Sequence, residues 1–406
     1  MRDEAHQPSP LTCVPRHLAM LALTHRHATG ARTLTDVQCD YYDAGRCRSC
    51  TLIETPYDAQ LAAKHERARA AVGEGPAWED PLASAESGFR NKAKMVAGGS
   101  VDEPRLGILG AGGSVQDLRD CPLHESAVAA ALPVLAEFVT AARLVPYDVT
   151  SRRGELKYVL VTASPAGELL VRFVLRSTES VPRIRKHLPW LTDRLPHLAV
   201  ASVNLHPTHS AVLEGAEEIV LTERALLPMH VGDAEMYLRP QGFFQTSSQM
   251  AGALYTLAAS WTAGLTYRTA WDLYCGVGGF ALHLARPGVE VIGVESSHEA
   301  VAAATASAAG VGTGVRFEAG DATAFALGAA QEPDLVVVNP PRRGIGADLA
   351  GWLEGSGVRH VLYSSCNVDS LARDLTAMPS LRPVRAHVLD MFPHTEHFET
   401  LVLLER

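Results

Sequence analysis

A single cysteine, Cys366, stands where a thiol could act on a substrate. It follows an apolar run that predicts a buried strand, Arg359–Ser364, and lies where that strand should open into a loop. Upstream, Trp271–Phe280 predicts a strand that enters the glycine loop Gly276–Gly279. Glycines allow positive φ and let the backbone approach a bound nucleotide closely. A thiol and a nucleotide loop in one sheet indicate an enzyme that attacks a base through sulfur and then alkylates it.

A carboxylate near the end of the chain gives this thiol a partner. Glu399 leads into the last predicted strand, Phe398–Leu404. C5 of uracil is a poor nucleophile, but a thiolate that adds at C6 makes C5 enolate-like, so that it can accept a methyl group. The proton at C5 must then leave, which requires a general base. Cys366 and Glu399, at neighbouring strand ends, would supply these two roles.

Further polar residues at strand ends could hold a cofactor. Glu295 ends the strand after the glycine loop, where a carboxylate can accept hydrogen bonds from ribose hydroxyls. Asp321, after the third strand, could hold an adenine amine. The spacing suits NAD and S-adenosylmethionine, but the position of the third glycine in the dinucleotide pattern is poorly matched, which favours the second.

A proline turn, Asn339–Gly344, follows the fourth predicted strand. Its two prolines stiffen the turn, and the Asn339 amide presents both a donor and an acceptor. An amino-methyltransferase would place an aromatic residue after the prolines. Here that residue is Arg342, which argues against attack by an exocyclic amine.

The elements that must position these residues change in character along the chain. Beyond about residue 240, strands and helices alternate and the strands are almost continuously apolar, which predicts a doubly wound parallel sheet with ligands at the carboxyl ends of its strands. The middle portion predicts an α+β domain, with a helix near 125–145 and a hairpin of Lys157–Val161 and Leu169–Leu175. A further strand is predicted over 210–213. From Cys39 to about Leu123 the chain is predicted to be loop-rich, apart from a helix around Asp58–Val72.

Composition narrows the class of protein. The 406 residues carry a formal net charge of −9, so the global basic footprint of a nucleic-acid coat protein is missing. No apolar run approaches the length of a membrane span, and Leu18–Thr24 is too short for a secretory signal. We therefore expect a cytoplasmic protein whose cysteines are thiols or metal ligands rather than disulfides.

Two kinds of cluster lie outside the predicted sheet. Cys39, Cys47 and Cys50, with the distant Cys121, suit an iron–sulfur cluster, with zinc as the main alternative and a disulfide pair as the lesser one. Positive charge is concentrated in Phe89–Lys94 and in Arg183–His187, where it could meet phosphates or simply be solvated. Gln245 has a side chain suited to hydrogen bonding, but the residue by itself does not indicate a role.

These motifs together resemble the RNA uracil-5-methyltransferases that depend on S-adenosylmethionine. The resemblance runs from Cys39 to the C-terminus, and within the family it points to the branch that methylates uridine 747 of 23S ribosomal RNA. The most specific segments are Tyr41–Cys50, Gly88–Met95, Arg153–Tyr158, Asn339–Gly346, Tyr363–Asn367 and Asp390–Thr395.

The resemblance implies a role for each candidate residue. Cys366 would be the nucleophile and Glu399 the base. S-adenosylmethionine would be bound by Gln245, Tyr274, Glu295 and Asn339. Asn339 stands where some relatives carry Asp. A [4Fe–4S] cluster would be held by Cys39, Cys47, Cys50 and Cys121.

The resemblance also implies an organisation and partners. We predict a disordered leader over residues 1–36, an iron–sulfur region with a central α+β RNA-binding domain over 37–240, and a Rossmann-like methyltransferase domain over 241–406. The expected partner is 23S ribosomal RNA, the expected oligomeric state is monomeric, and no membrane is involved. Two alternatives stay open, the same chemistry on another 23S uridine or on transfer RNA, and a noncatalytic iron–sulfur RNA-binding protein.

Overall fold

The computed structural model describes residues 37–110, 112–209, 214–310 and 314–406. The predicted leader, residues 1–36, and the strand predicted over 210–213 lie outside these residues. The elements of the first half are, in chain order, α1 (Asp40–Asp43), α2 (Tyr57–Val72), β1 (Ala77–Trp78), β2 (Lys92–Gly99), β3 (Pro104–Leu109), β4 (Val115–Asp117), α3 (Ser126–Ala141), β5 (Leu156–Ala163), β6 (Leu169–Leu175), α4 (Val181–Arg194), β7 (Leu198–Leu205) and β8 (Glu217–Val220).

The second half begins with a two-stranded hairpin and continues as alternating strands and helices. Its elements are β9 (Leu227–Val231), β10 (Ala234–Leu238), α5 (Ser248–Ala263), β11 (Thr269–Leu273), α6 (Gly279–Leu284), β12 (Glu290–Glu295), α7 (His298–Ala308), β13 (Val315–Ala319), α8 (Ala322–Gly328), β14 (Leu335–Val338), α9 (Gly346–Gly355), β15 (His360–Ser365), α10 (Val368–Thr376), β16 (Arg382–Leu389) and β17 (Glu399–Glu405). None of the described helices is long and apolar enough to cross a membrane.

The central sheet has the strand order β4-β3-β2-β5-β6-β7-β8. Neighbouring strands are antiparallel except β6 and β7, which run parallel because α4 makes the crossover between them. Alternate residues of β5, β6 and β7 form a core with α3 and α4. The opposite face contributes Leu170 and Val200 to the core of the second half. The predicted hairpin of β5 and β6 is confirmed.

The prediction of a loop-rich segment up to Leu123 is wrong over β2, β3 and β4. β2 has no run of β-branched residues, and it ends in Gly98 and Gly99, so its sequence lacks the usual strand signal. The structure needs this small residue, because a Cβ on Gly98 would lie 2.4 Å from a methyl carbon of Val115. The close approach of Val115 in β4 therefore accounts for a glycine at a position in β2 where a β-branched residue would have strengthened the strand signal.

The second sheet has the order β1-β16-β17-β15-β14-β11-β12-β13. The five strands from β15 to β13 are parallel, and apolar cores cover both faces. The predicted Rossmann-like, doubly wound fold is confirmed. The sheet is not wholly parallel, however, because β17 runs antiparallel to both β15 and β16.

The antiparallel direction of β17 matters for the site. Parallel strands bring their carboxyl ends to one edge of the sheet, so the residues that follow β11, β14 and β15 meet there. An antiparallel strand brings its first residue to that same edge. Ser365 at the end of β15 pairs with Thr400 at the start of β17. Cys366 and Glu399 are thereby placed side by side although they come from opposite ends of their strands.

The segment that precedes the central sheet packs on the second sheet. β1 pairs with β16 in parallel, and Lys64 on α2 forms a buried ion pair with Asp390 at 2.7 Å. Removing one partner of such a pair costs about 3–5 kcal/mol. Lys64 also donates a hydrogen bond to the carbonyl of Phe392 at 3.2 Å. Helix α2 therefore holds the loop that leads into β17.

Candidate active site

The thiol of Cys366 lies between the end of β15 and the start of α10. Asn367 caps that helix, its side-chain oxygen accepting a hydrogen bond from the Asp369 amide at 3.1 Å. A helix N-terminus favours a thiolate. Burial raises the pKa of the half-buried Cys366 thiol, the Glu399 carboxylate raises it further, and the Arg342 guanidinium lowers it. Arg342 is thus a side chain that favours the reactive thiolate.

The carboxyl group of Glu399 is buried beside this thiol. Its side chain is 2% exposed, and burial raises its pKa to about 7. A hydrogen bond from the Ser364 hydroxyl to its Oε1 acts in the opposite direction. Proton transfer is most efficient when the pKa of the acceptor lies near the working pH. Glu399 is therefore suited to take a proton near neutrality and release it again.

The glycine loop and Glu295 form one unit at the carboxyl ends of β11 and β12. The carboxylate of Glu295 accepts hydrogen bonds from the amides of Gly276, at 3.2 Å, and Ser297, at 2.9 Å. These bonds fix both carboxylate oxygens. Oε1 also accepts a hydrogen bond from the Ser296 hydroxyl at 2.9 Å, so the lone pair left for a ligand hydroxyl lies on Oε2. Gly278 has a φ of +86°, and a Cβ there would lie 2.6 Å from the ring of Phe317. The loop therefore requires glycine at this position.

Three more candidate residues lie at the same edge of the sheet. Tyr274 directly follows β11 with a φ of +64°, in the left-handed region. Asn339 directly follows β14, and its backbone amide donates a hydrogen bond to the backbone carbonyl of Leu273 at 3.3 Å. Asp321 caps α8 by accepting a hydrogen bond from the Ala324 amide at 2.8 Å.

Gln245 is held by a residue of the first predicted basic patch. Asn91 is completely buried, and its Nδ2 donates to the Gln245 carbonyl at 3.0 Å and to the Ser248 hydroxyl at 2.7 Å. Its backbone amide donates to the carbonyl of Thr246 at 2.9 Å. Asn91 therefore joins the first strand of the central sheet to the start of α5 and fixes the backbone at Gln245.

The proline turn is held in place by a hydrogen bond to Asp374 of α10. One of its carboxylate oxygens accepts hydrogen bonds from the Ile345 amide, at 2.8 Å, and from the Tyr363 hydroxyl, at 2.7 Å. Gly344 has a φ of +83°, and a Cβ there would lie 2.2 Å from the same carboxylate oxygen. The turn is therefore fixed against α10, which begins next to Cys366.

One cavity of about 730 Å³ brings the candidates together. Its walls include the predicted nucleophile, the predicted base and the predicted cofactor contacts, which are Cys366, Glu399, Gln245, Tyr274, Glu295 and Asn339. Asp321, Arg342, Phe243 and Phe392 also line it. The arrangement places a thiol and a carboxylate at one side of a cavity that continues to the glycine loop.

The four predicted cluster cysteines come together on the N-terminal segment. Cys39, Cys47, Cys50 and Cys121 are free thiols. Burial, together with the charges of the other three thiols, raises the pKa of Cys50 to about 12. Arg90 acts in the opposite direction on Cys50 and Cys121. Within the described ranges, however, no group of three or more histidine, cysteine, aspartate or glutamate side chains is arranged to hold a metal ion.

The second predicted basic patch, Arg183–His187, lies on α4. Arg183 forms an ion pair with Glu179, one helical turn earlier, and Ile184 is buried in the core of the central sheet. His187 donates a hydrogen bond from its Nδ1–H to the Arg183 carbonyl of the same helix, at 2.9 Å. The structure therefore gives this patch a local role and places it on a different element from the cavity.

Comparison with known proteins agrees with this arrangement. Residues 270–341 match a family described as a methyltransferase domain, and residues 329–406 match one described as tRNA (uracil-5-)-methyltransferase. The chain is 46% identical over 372 residues to the 23S rRNA (uracil(747)-C(5))-methyltransferase RlmC of Escherichia coli O139:H28, covering 91% of this chain and 99% of that one. The protein of the same name from Shigella boydii serotype 4 matches equally well.

The chain belongs to the RNA uracil-5-methyltransferase family. The fold of this RNA uracil-5-methyltransferase is also similar to that of Pyrococcus abyssi tRNA (uracil-54, C5)-methyltransferase, solved in complex with S-adenosyl-L-homocysteine. The TM-score is 0.73 at 24% identity, and the match covers 87% of this chain and 85% of that one.

Three residues of this methyltransferase site were given no individual role from the sequence, although two of them lie in segments that the sequence analysis singled out. Asn91, Ser364 and Asp374 are all buried and hold Gln245, Glu399 and the proline turn, respectively. Each contacts a residue that is distant in sequence, except for the Asp374 contact with Tyr363 within one strand–helix unit. A segment-by-segment analysis has no signal for such pairs. Only the polarity of Ser364 within an apolar strand could have pointed to one of them.

Proposed function

We propose that this chain methylates C5 of uridine 747 in 23S ribosomal RNA, using S-adenosylmethionine and a covalent adduct between Cys366 and C6 of the uracil. The observation that carries this proposal is the single cavity that Cys366 and Glu399 share with the glycine loop and Glu295. The choice of uridine rests on the 46% identity to RlmC over almost the whole length of that protein.

In the proposed reaction the chain acts at two atoms of the base. The Cys366 thiolate adds to C6, and the electron pair of the C5–C6 double bond becomes available at C5. Bound S-adenosylmethionine would supply the methyl group to C5. The Glu399 carboxylate then takes the C5 proton, the C5–C6 double bond re-forms, and the sulfur leaves C6 with its electron pair.

The cavity walls suit the cofactor. We propose that Glu295 binds the ribose hydroxyls, because its two oxygens are already oriented by backbone amides. Gln245, Tyr274 and Asn339 would complete the contacts at the carboxyl ends of the strands. The open space beside Gly276, where a Cβ would meet nothing within 4 Å, leaves room for a ligand over the loop.

We also propose that the four clustered thiols hold a [4Fe–4S] cluster. The residue types support this proposal, because four cysteines are the usual ligands of such a cluster and Arg90 offsets the charge of two of them, although the described side chains are not arranged around a metal ion. The role would be structural. Leu52, just after Cys50, donates a backbone hydrogen bond to the carbonyl of His394 at 2.9 Å, and so the thiol segment supports the loop before β17.

Metal analysis of the anaerobically purified protein tests the cluster. We expect about four irons and four sulfides per chain. Cys50→Ser should lose the iron and lower the melting temperature, whereas Cys275→Ser, a buried thiol under the glycine loop, should keep the iron. Stoichiometric zinc in place of iron would support the zinc alternative instead.

We also propose that the chain is divided into an RNA-binding part and a cofactor-binding part. A central domain over 37–240 would bind RNA, and 241–406 would bind the cofactor, although β1 and α2 add to the second sheet. The flipped uridine that such an enzyme needs would enter the cavity from a single-stranded or looped RNA segment.

A trapping assay tests the proposed function. Protein, S-adenosylmethionine and a 23S fragment with 5-fluorouridine at position 747 are mixed, and mass spectrometry looks for a denaturation-resistant adduct. Fluorine does not leave as a proton does, so the adduct should persist on the peptide that carries Cys366. A fragment with 5-fluorouridine at another position is the control. Adducts with transfer RNA but not with the 747 fragment would contradict the choice of substrate.

The Ser364 hydroxyl should set the pH dependence of the reaction. Its hydrogen bond favours the ionised form of Glu399, whose pKa is about 7, and a base works only above its pKa. Ser364→Ala should therefore raise that pKa and move the acidic limb of the single-turnover rate to higher pH by about one to two units, because hydrogen bonds to charged groups contribute roughly 1.5–3 kcal/mol and one pKa unit corresponds to about 1.4 kcal/mol. The rate should recover at high pH.

Thr400→Val is the matched control for Ser364→Ala. Thr400 is a buried neighbour whose hydroxyl has no hydrogen-bond partner among the described residues. Its removal should leave the pH profile unchanged. An unshifted acidic limb in Ser364→Ala would contradict the proposed link between this hydroxyl and the base.

A further inference from the structure

A second, smaller pocket lies against the same thiol. Its volume is about 180 Å³, and it shares Cys366 and Arg342 with the larger cavity. The remaining walls come from α2, from the first residues of α10 and from the loop before β17, and include Arg67, Asp369, Glu396 and Phe398. The proposed roles of the larger cavity assign nothing to this pocket.

The chemistry of the adduct indicates which part of the nucleotide lies near the small pocket. C6 of uracil is bonded to N1, and N1 carries the ribose. C5, on the other side of C6, must face the methyl donor in the larger cavity. A base held through C6 therefore directs its ribose and backbone phosphates past Cys366, away from the glycine loop. The small pocket lies beside the thiol and is in position to receive that part of the nucleotide.

The pocket presents two guanidinium groups that lack ion-pair partners among the described residues. Arg67 and Arg342 form no ion pair with any described residue, and although Asp369 and Glu396 line the pocket, neither lies within salt-bridge distance of them. Arg69, on the same helix as Arg67, is by contrast paired with Glu74.

Arg67 is nevertheless held in place. Its Nη1 donates to the backbone carbonyl of Glu396 at 3.1 Å, and its guanidinium carbon lies 5.6 Å from the centre of the Phe398 ring. Neither contact neutralises its charge. Arginine donors fixed in this way suit the paired oxygens of a phosphate. Phe398 directly precedes Glu399, so this cation is tied to the strand that carries the proposed base.

We propose that Arg67 binds a backbone phosphate next to the target uridine, in the small pocket beside Cys366. The assignment rests on the proposed function, because it takes the base to be attached at C6. It gives α2, in the N-terminal segment, a direct contact with the substrate. Arg342 would be shared between the phosphate side and the thiol.

Binding of a 23S fragment to Arg67→Gln tests this proposal. A phosphate contact contributes to the salt dependence of binding, so we expect roughly tenfold weaker binding and a salt slope smaller by about one. Affinity for S-adenosylmethionine should not change. Arg67→Lys, which keeps a point charge, should recover most of the slope. Arg69→Gln, on the same helix, should behave as wild type.

An RNA with a single uncharged methylphosphonate linkage identifies the phosphate. Placed on the 5′ or the 3′ side of the target uridine, one of the two should weaken wild-type binding by about the same factor and have no further effect on Arg67→Gln. The assignment would be overturned if Arg67→Gln kept the affinity and salt slope of the wild type. It would also be overturned if each of the two linkages weakened binding by Arg67→Gln as much as it weakens binding by the wild type. If wild-type protein fails to methylate the unmodified fragment, the proposed function fails, and this outcome is seen separately in the activity assay.

Discussion

Cys366→Ala should abolish methyl transfer to the 23S fragment, with a loss of roughly four orders of magnitude or more. Without sulfur at C6, C5 of uracil does not become nucleophilic, and no other thiol lines the cavity among the described residues. Cofactor binding should stay nearly intact, because Glu295 and the glycine loop keep their mutual hydrogen bonds. The measurements are single-turnover transfer of a labelled methyl group and calorimetric titration with S-adenosylmethionine.

The matched control for the thiol is Cys275→Ala. Cys275 is buried behind the glycine loop and does not line the cavity. Its loss removes a similar volume without removing the proposed nucleophile, so turnover should be reduced only as far as stability is. Undiminished methylation by Cys366→Ala would exclude this residue as the nucleophile.

The sequence predicted the methyltransferase domain well because its signals are local. Apart from β13, which contains Arg316 and Glu318, the strands from β11 to β15 are short, mainly apolar runs that end in a polar or glycine-rich turn, and four of the candidate residues stand at those ends. The parallel register then brings Tyr274, Glu295, Asn339 and Cys366 to one edge without further information. Knowledge of strand order was not needed, since every carboxyl end of a parallel sheet lies on the same side.

The parts that escaped prediction depend on distant contacts. β2 has few strand-forming side chains, and at Gly98 the reason is a distant contact, because β4 packs closely against this residue. The hairpin of β9 and β10 was also missed, although Gly232, with a φ of +59°, begins its two-residue turn. Pro228 in β9 weakens the strand pattern that would have drawn attention to that turn.

The antiparallel direction of β17 is the most consequential feature that the pattern did not contain. An apolar run has the same appearance in either direction. Had β17 been parallel, Glu399 would lie at the far edge of the sheet from Cys366. The sequence supplied both residues and the roles proposed for them, but only the pairing of Ser365 with Thr400 explains how the proposed base comes to lie beside the proposed nucleophile.

Glu399→Gln should trap the enzyme on its RNA. The amide has nearly the shape of the carboxyl group and can still accept the Ser364 hydrogen bond, so the cavity should keep its form. Thiol addition and methylation of C5 do not need the carboxylate, but removal of the C5 proton does. The adduct should therefore accumulate after methylation, and release of product should slow by about 10²–10⁴-fold.

The trapped species can be distinguished from a simple loss of activity. It should form only with S-adenosylmethionine present, survive denaturation, and carry one methyl group more than protein plus RNA when its mass is measured. Cys366→Ala combined with Glu399→Gln should form no such species, which shows whether the bond is to this thiol. If Glu399→Gln binds RNA and cofactor but gives neither adduct nor product, the step that fails precedes proton removal. The buried carboxylate would then act on addition of the thiol, and the base would have to be sought elsewhere in the cavity.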